Sequence, residues 1–538
     1  MRLEALCRAI GVSPREGSDN IEIRSIETDS RKVRKGSLFV CIRGLHTDSH
    51  SCIPEAIGNG ASCVLVQEGA QMPEALRQQT LLLECESTRR AVACLYHAWY
   101  GFPGEHLKLI GVTGTNGKTS VTHMLRHILE SAFFRCGLIG TVGCESGGRR
   151  LSSTADDPLA NMTTPDPSTL YRILGEMVAD GVEYVLMEVS SHALALEKLA
   201  PLRFTRAVFT NLTPEHLDFH LTMEAYAEAK ARLFAASERS IVCTDSPYAQ
   251  RMLCAAGGNA LTCSSEGGRA DYTATFLRQS LREGVHYRLD SARASLRMLC
   301  PIPGRFSMVN SMLASVTAMD LGLRPAGVKA AVASIPGVKG RMERVPLGVE
   351  ADFTVLIDYA HTPDALENLL RTARELCQGE ARIILLFGCG GDRDKGKRPA
   401  MGRIASFYAD LVILTSDNSR SEDPDAIIAE ILSGMDPTGK RCVIPDRRQA
   451  ILHAVSHARA GDVVLLAGKG HEEYEITRGE RRCFSEREIV KEALIERQRG
   501  KVDRQDAPRA SKDGCGDASQ GKESDPNDSE SSIFLLCG

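Results

Sequence analysis

GVTGTNGKTS, Gly111 to Ser120, follows the apolar run LKLI and precedes SVTHMLRHILESAFF, whose apolar residues recur at helical spacing. A strand, a glycine-rich turn and a helix in that order form a phosphate cradle. Glycines let backbone N–H groups close on phosphate oxygens, and the helix N-terminus adds partial positive charge. In this reading Gly114, Thr115, Asn116, Gly117 and Ser120 line the turn, Lys118 neutralises the β- and γ-phosphates of ATP, and Thr119 offers its hydroxyl to Mg²⁺. The spacing G-x4-G-K-[ST] is missed by one position, because five residues separate Gly111 from Gly117. The plain alternative is a glycine-rich turn before a surface lysine. The loop predicts a nucleotide-binding α/β fold without distinguishing a kinase from an ATPase or a ligase, since each positions a γ-phosphate in this way.

Working outward, strands are expected near CGLIGTVG, YVLMEVS and RAVFTNL, which makes the surrounding region a continuous α/β unit. Upstream, IEIRSIETDS, GSLFVCI, ASCVLVQ and TLLLEC suit a smaller α/β unit that ends at the break FPGEH. Downstream, SIPGVKGRMERV has the Pro/Gly density of a linker and hinge. Beyond it FTVLIDYA, RIILLFGCGG, ADLVILTSDN and GDVVLLAGKG each end an apolar strand in glycine or polar residues. Open parallel sheets bind ligands at the carboxyl ends of their strands, so those four endings are where chemistry is expected. The resulting division is 1–104, 105–336 and 337–498, with 499–538, rich in Asp, Ser, Lys and Gly, as a disordered tail.

The 538 residues carry a formal net charge of -4, which gives no global attraction to nucleic acid or an anionic membrane. Eighteen cysteines are scattered without a CxxC pair and read as reduced core thiols of a cytoplasmic protein. No apolar run approaches the length of a membrane span, so no membrane insertion is expected, and a monomer is the expected state.

Beside the loop stand TTPDP (Thr163 to Pro167), MEVSSHAL (Met187 to Leu194), NLTPEHLDFH (Asn211 to His220), YAEAKARLF (Tyr226 to Phe234), PGRFSMVN (Pro303 to Asn310), GRMERV (Gly340 to Val345) and DYAHTPDAL (Asp358 to Leu366). With these motifs in this order, the chain resembles the Mur ligase family over about residues 20 to 495. TDSRKVRKGSLFVCIRG, GCGGDRDKGKRP (Gly388 to Pro399) and AGKGHEEYE (Ala467 to Glu475) are similar to the branch that adds a diamino acid to UDP-N-acetylmuramoyl-L-alanyl-D-glutamate. The resemblance implies an α/β protein of three domains: an N-terminal one for the UDP precursor, a central P-loop ATPase and a C-terminal Rossmann-like domain. It implies ATP and Mg²⁺ as cofactors, and the UDP-muramoyl dipeptide, ATP and a diamino acid as the small-molecule partners.

The resemblance also assigns roles. Lys118, Glu188, His216 and Lys230 are the catalytic set; Thr119, Glu188, His216 and Lys230, the last as a carbamate, would ligate metal. A lysine on the helix MEAYAEAKARLF is otherwise a solvated cation, and an unmodified lysine has donors only. Asn310 would read adenine, Asp358 the ribose, and Arg341 would approach the phosphates. Ser30, His46, Thr47, Thr163, Thr164, Ser190 and Lys198 would hold the UDP precursor. Lys198 stands where the family usually has arginine, Ser49 where it has glycine and Ser307 where it has asparagine.

For the incoming amino acid, the family pattern DNPR appears here as Asp417, Asn418, Ser419 and Arg420. The resemblance implies that Arg420 grips the distal carboxylate of meso-diaminopimelate, with Arg393, Gly468 and Glu472 around the rest of the molecule, and a planar guanidinium suits such bidentate binding. Lysine or ornithine would leave Arg420 without that partner. Ser419 lacks the proline ring that would restrict Asn418, and without the family context this polar run would read as a helix cap after a strand. Another Mur ligase, folylpolyglutamate synthase and an inert nucleotide-binding scaffold are the competing readings.

Overall fold

The computed structural model describes residues 1–13, 20–44, 47–70, 73–151, 162–346, 352–377 and 381–505. The chain divides into two compact units, Met1–Pro336 and the part that begins at Gly337. Both are layered α/β, and the apolar runs become the strands.

The first unit contains two sheets. The N-terminal one places Ser25–Glu27, Ser37–Val40, Ala61–Gln67 and Leu81–Cys85 side by side, all parallel. Because side chains alternate across a strand, Leu38 and Val40 pack with Leu3, Leu6 and Leu95 on one face, while Phe39 packs with Val33, Ile53 and Val64 on the other. A strand buried on both faces reads as the unbroken apolar run that the sequence shows.

The second sheet has eleven strands among the described residues. Its parallel centre runs Ala260–Ser264, Ser237–Cys243, Phe204–Phe209, Lys108–Thr113, Tyr184–Glu188, Cys136–Gly140. The antiparallel meander Tyr272–Ser280, Gly284–Ser291, Ser295–Cys300 extends one edge, and the hairpin strands Gly143–Ser146 and Arg149–Leu151 extend the other. Lys108–Thr113 is therefore flanked on both sides, and the loop after it leaves the sheet from its middle.

In the second unit six strands lie in the order Glu343–Arg344, Thr354–Asp358, Val463–Ala467, Ile383–Phe387, Leu411–Leu414, Arg441–Val443; all pairings but the first are parallel. Register pairs Asp358 with Ala467 and Phe387 with Leu414, so the four polar endings marked in the sequence share one sheet edge. The last helix, Glu486–Gln505, runs into the segment expected to be a disordered tail: 499–505 is helical, and 506–538 lies outside the described residues. Among the described residues no helix is long and apolar enough to cross a membrane.

Candidate functional site

Gly111 belongs to the strand, not the loop, which accounts for the shifted spacing. The loop glycines are Gly114, with φ +154°, and Gly117, with φ +88°. A Cβ on Gly114 would lie 1.9 Å from Thr210 Oγ1, and one on Gly117 would lie 2.5 Å from Asn310 Oδ1, so neither position has room for a side chain. The NLT segment braces the loop. Asn116 N–H donates to Asn211 Oδ1 at 2.9 Å, Thr115 N–H to the Asn211 carbonyl at 3.0 Å, and Thr210 Oγ1 to the Asn116 carbonyl at 2.6 Å. Lys118 folds over the turn and donates to the carbonyls of Gly114 at 3.0 Å and Thr115 at 2.8 Å. Thr119, Ser120 and Asn310 are buried beside it.

Glu188 ends the neighbouring strand and is buried. Its carboxylate accepts from Thr119 Oγ1 at 2.9 Å, from Thr141 N–H at 2.9 Å and from Thr141 Oγ1 at 3.1 Å. Thr141 is a contact that sequence reasoning missed: it lies inside the run CGLIGTVG expected to form a strand, just past the strand's end at Gly140, and no motif marked it.

Lys230 is not a solvated cation. Its helix, Met223–Ala235, turns it inward until the side chain is 1% exposed, with Nζ donating to the Gly114 carbonyl at 3.0 Å and to Thr113 Oγ1 at 3.4 Å. Burial pushes its pKa well below the ordinary lysine value, and the nearby Lys118 charge pushes it further. His216 sits at φ 58° with its ring 4.8 Å from that of His192. Desolvation lowers its pKa to about 4, and the charges of His192, Lys118 and Lys230 act in the same direction against Glu215. Lys118, His216 and Lys230 thus lie within electrostatic reach of one another, and burial disfavours the charged forms of the last two.

The donor set fits Mg²⁺. This ion takes oxygen ligands and keeps phosphate and water among them. Thr119 and Glu188 supply adjacent oxygens, and Lys230 would supply more only as a carbamate. Among the described residues no group of three or more His, Cys, Asp or Glu side chains could hold a metal on its own, so phosphate oxygens would have to complete the shell.

Thr164 and Ser190 continue outward from Glu188. Thr164 Oγ1 donates to the Glu188 carbonyl at 2.9 Å and accepts from Ser190 N–H at 3.0 Å; Thr163 Oγ1 lies 3.1 Å from Thr141 Oγ1. Lys198 pairs with Asp166 at 2.6 Å. Ser30 opens the short 3-10 helix Ser30–Lys32 between the first two strands of the N-terminal sheet, where it is buried and donates to Glu55 at 2.7 Å, while Thr47 is exposed in the loop after the second. His46 lies outside the described residues.

In the second unit, the strand ending at Leu414 leads into a packed polar cluster. Asp417, Asn418 and Ser419 are buried, and the next helix, Pro424–Leu432, is capped by Asp423, so this run is no helix cap. Asn418 is held on three sides: Nδ2 donates to Glu472 at 2.7 Å, and Oδ1 accepts from Lys469 at 3.0 Å and from Ile476 N–H at 3.0 Å. Burial raises the Asp417 carboxyl, but Lys469, Arg447, the Asn418 N–H and His361 together outweigh it and the net shift is downward. Glu472 moves the other way, raised by burial and then by the Asp417 charge. Arg420 has φ 51° and donates from Nη1 to the Gly391 carbonyl at 2.6 Å.

The GCGG run lies against this segment. A Cβ on Gly388 would meet the Thr415 carbonyl at 2.2 Å, and one on Gly391 would meet the Ser419 carbonyl at 2.0 Å. Arg393 is exposed in the same loop. Gly468, with φ +109°, donates to the Asp358 carbonyl at 3.1 Å, and a Cβ there would sit 2.6 Å from Asp417 Oδ2. Asp358 accepts backbone N–H groups of Met342 at 2.7 Å and Ala360 at 2.8 Å, and Arg341 lies over the Tyr359 ring at 4.7 Å. Burial raises the Asp358 carboxyl against the pull of Arg341. Lys469, Arg398, Glu422 and Arg447 were missed as organisers of this edge, although Lys469 and Arg398 lie inside quoted motifs.

Comparison with known families matches residues 22–100 to the Mur ligase family catalytic domain, 112–318 to the Mur ligase middle domain and 340–470 to the Mur ligase glutamate ligase domain. The UDP-N-acetylmuramoyl-L-alanyl-D-glutamate--2,6-diaminopimelate ligase of Syntrophomonas wolfei is 41% identical over 511 residues, covering 93% of this chain and all of that one. The protein of that name from Caldanaerobacter subterraneus is 43% identical over 486 residues, covering 89% and 96%. A solved structure of a ligase with the same name aligns with a TM-score of 0.64 at 31% identity, covering 93% of this chain and all of the other.

Proposed function

Because the chain belongs to the Mur ligase family, we propose that it is an ATP-dependent ligase. It joins 2,6-diaminopimelate to the D-glutamate of UDP-N-acetylmuramoyl-L-alanyl-D-glutamate, a cytoplasmic step of peptidoglycan precursor synthesis. The observation that carries the reaction is Lys230, a fully buried amine held against the phosphate loop with its pKa driven down. A protein that only bound a nucleotide would have no use for it. A neutral amine can attack the carbon of CO₂ and release a proton, which turns a cation into the anionic carbamate the site needs.

An oxygen of the D-glutamate carboxylate attacks the γ-phosphorus of ATP, the bond to the ADP oxygen breaks, and an acyl phosphate forms. The free amine of the diamino acid then attacks the acyl carbon, phosphate departs with its oxygen, and the nitrogen loses a proton. Lys118 would hold the transferring phosphoryl group, and Thr163, Thr164, Ser190 and Lys198 would hold the muramoyl-peptide arm. Thr119 and Glu188 would hold one Mg²⁺, and His216 and carbamylated Lys230 a second; when bound, these ions supply charge that lets anionic carboxylate and phosphate approach. Arg420 would grip the distal carboxylate of diaminopimelate, which L-lysine and L-ornithine lack, with Arg393 and Glu472 meeting the other carboxylate and the ammonium of the same molecule.

The test is a ligation assay with the UDP-dipeptide and ATP, offering meso-diaminopimelate, L-lysine and L-ornithine in parallel. Product with meso-diaminopimelate is expected. Phosphate release that never depends on the UDP-dipeptide would overturn the ligase reading, and a preference for lysine would overturn the role of Arg420.

A further inference from the structure

The inference rests on the reading of Arg420 as the grip on the amino acid. We propose that Arg398 and Glu422 are positioning residues for amino-acid selection, clamping the loop of Arg393 to the loop of Arg420 in place of the proline that residue 419 lacks.

Ser419 cannot supply that constraint. It has no ring to fix its backbone, and its hydroxyl is buried without a hydrogen-bond partner among the described residues. Yet both loops are held in costly conformations. Arg420 and, across from it, Asp392 have φ 51°, a region that residues other than glycine enter only at a cost. Such geometry persists only where its surroundings over-determine it.

The surroundings here are a bonded seam. Gly391 N–H donates to the Asn418 carbonyl at 2.9 Å, and Arg420 donates back to the Gly391 carbonyl. Ser421 donates to both oxygens of Asp392, from Oγ at 2.5 Å and from N–H at 3.2 Å. Asp392 N–H in turn donates to Glu422 Oε1 at 2.6 Å. Behind the seam lies Arg398, wholly buried. Its Nη1 and Nη2 donate to the two Glu422 oxygens at 3.0 and 2.9 Å, Nη1 also reaches Glu430 at 2.8 Å, and Nη2 reaches the Gly390 carbonyl at 3.3 Å. One guanidinium therefore touches both loops.

A buried ion pair of this kind is a poor source of net stability, because desolvation offsets much of the attraction. What a planar fork supplies is a fixed geometry. Fixing Gly390 and Glu422 relative to one another fixes the separation of Arg393 and Arg420, and with it the spacing of charges that an incoming zwitterion would meet. Misplacement by about 1 Å can cost on the order of 10²-fold in such a site.

The test uses the full chain and steady-state kinetics with each of the three substrates varied. Glu422→Gln should raise KM for meso-diaminopimelate about tenfold or more and lower its preference over L-lysine, while KM for ATP and for the UDP-dipeptide stays within about twofold. Adding Ser419→Pro to Glu422→Gln should recover most of the lost preference, because the ring restores the missing constraint. Should Glu422→Gln fail to fold, Ser421→Ala and Asp392→Asn cut the exposed side of the same seam and are judged by the same criteria. A folded variant with unchanged KM and preference for the amino acid overturns the proposal, as does a parallel rise in all three KM values. Wild-type protein that ligates no meso-diaminopimelate would instead overturn the amino-acid reading beneath it.

Discussion

The Thr119 hydroxyl donates to the Glu188 carboxylate at 2.9 Å, joining residues 69 apart in the chain. The contact ties the first turn of the helix after the phosphate loop to the end of the adjacent strand. Glu188→Gln keeps the shape and removes the charge. Ligation should fall by about 10²-fold or more, the scale of losing one preorganised electrostatic group, with the melting temperature little changed. Thr119→Ser, which retains the hydroxyl, should keep most of the activity that Thr119→Val loses. Phosphate release that depends on the UDP-dipeptide reads both.

Lys230 should show opposite effects on stability and on function. Its folded pKa lies below its unfolded value near 10.5, so between the two the unfolded chain carries a proton that the native one does not. Stability should therefore rise with pH through that window and level off above it. Lys230→Met removes the slope and the desolvation cost, raising the melting temperature at neutral pH, and it should abolish ligation. Urea midpoints across the alkaline range test the first part, and an active Met variant would remove the carbamate from the mechanism.

Arg420→Lys keeps the charge and loses the planar fork. KM for meso-diaminopimelate should rise about tenfold or more, while KM for ATP is unchanged, since the proposed contact concerns a single substrate. Equal effects on both substrates would indicate damage to the loop instead.

Acid should loosen the second unit through Glu422. Hydrogen bonding from Arg398, against the cost of burial, lowers its carboxyl to about 2 from the ordinary 4.5. Its contribution is present above the unfolded pKa and is lost as pH falls from about 4.5 toward 2. Glu422→Gln should flatten that limb of the denaturation midpoint against pH, and an unaltered acid limb would show that the pair does not control it.

The four strand endings in the second unit were legible because a parallel sheet with helices between its strands leaves little freedom about where polar residues gather. The phosphate loop was legible for the same reason, since Gly114 and Gly117 occupy conformations and close approaches that only glycine satisfies. Burial was less legible. Lys230 sits on a helix whose neighbours Glu228 and Arg232 look solvated, and only the resemblance singled it out. Arg398 and Arg447 are both wholly buried, yet no local pattern marks either as such, although Arg398 lies inside a quoted motif. Their partners Glu422 and Glu486 lie 24 and 39 residues away, a separation that no local pattern encodes. Thr141 was missed for a simpler reason: a threonine after a strand carries no signature until the carboxylate it serves has been placed.

The glycines packed against the TSDNSR segment bear on inhibitor durability. At Gly388 and Gly391 any added side chain would collide with backbone carbonyls across the gap, at 2.2 and 2.0 Å. A compound that rests on the main chain of this run, rather than on Arg393 or Arg420, would press on a wall that point mutation cannot thicken without dislodging the segment proposed to read the amino acid. Escape from such a compound would have to come from residues other than these two glycines, which narrows the set of resistant sequences that need to be anticipated.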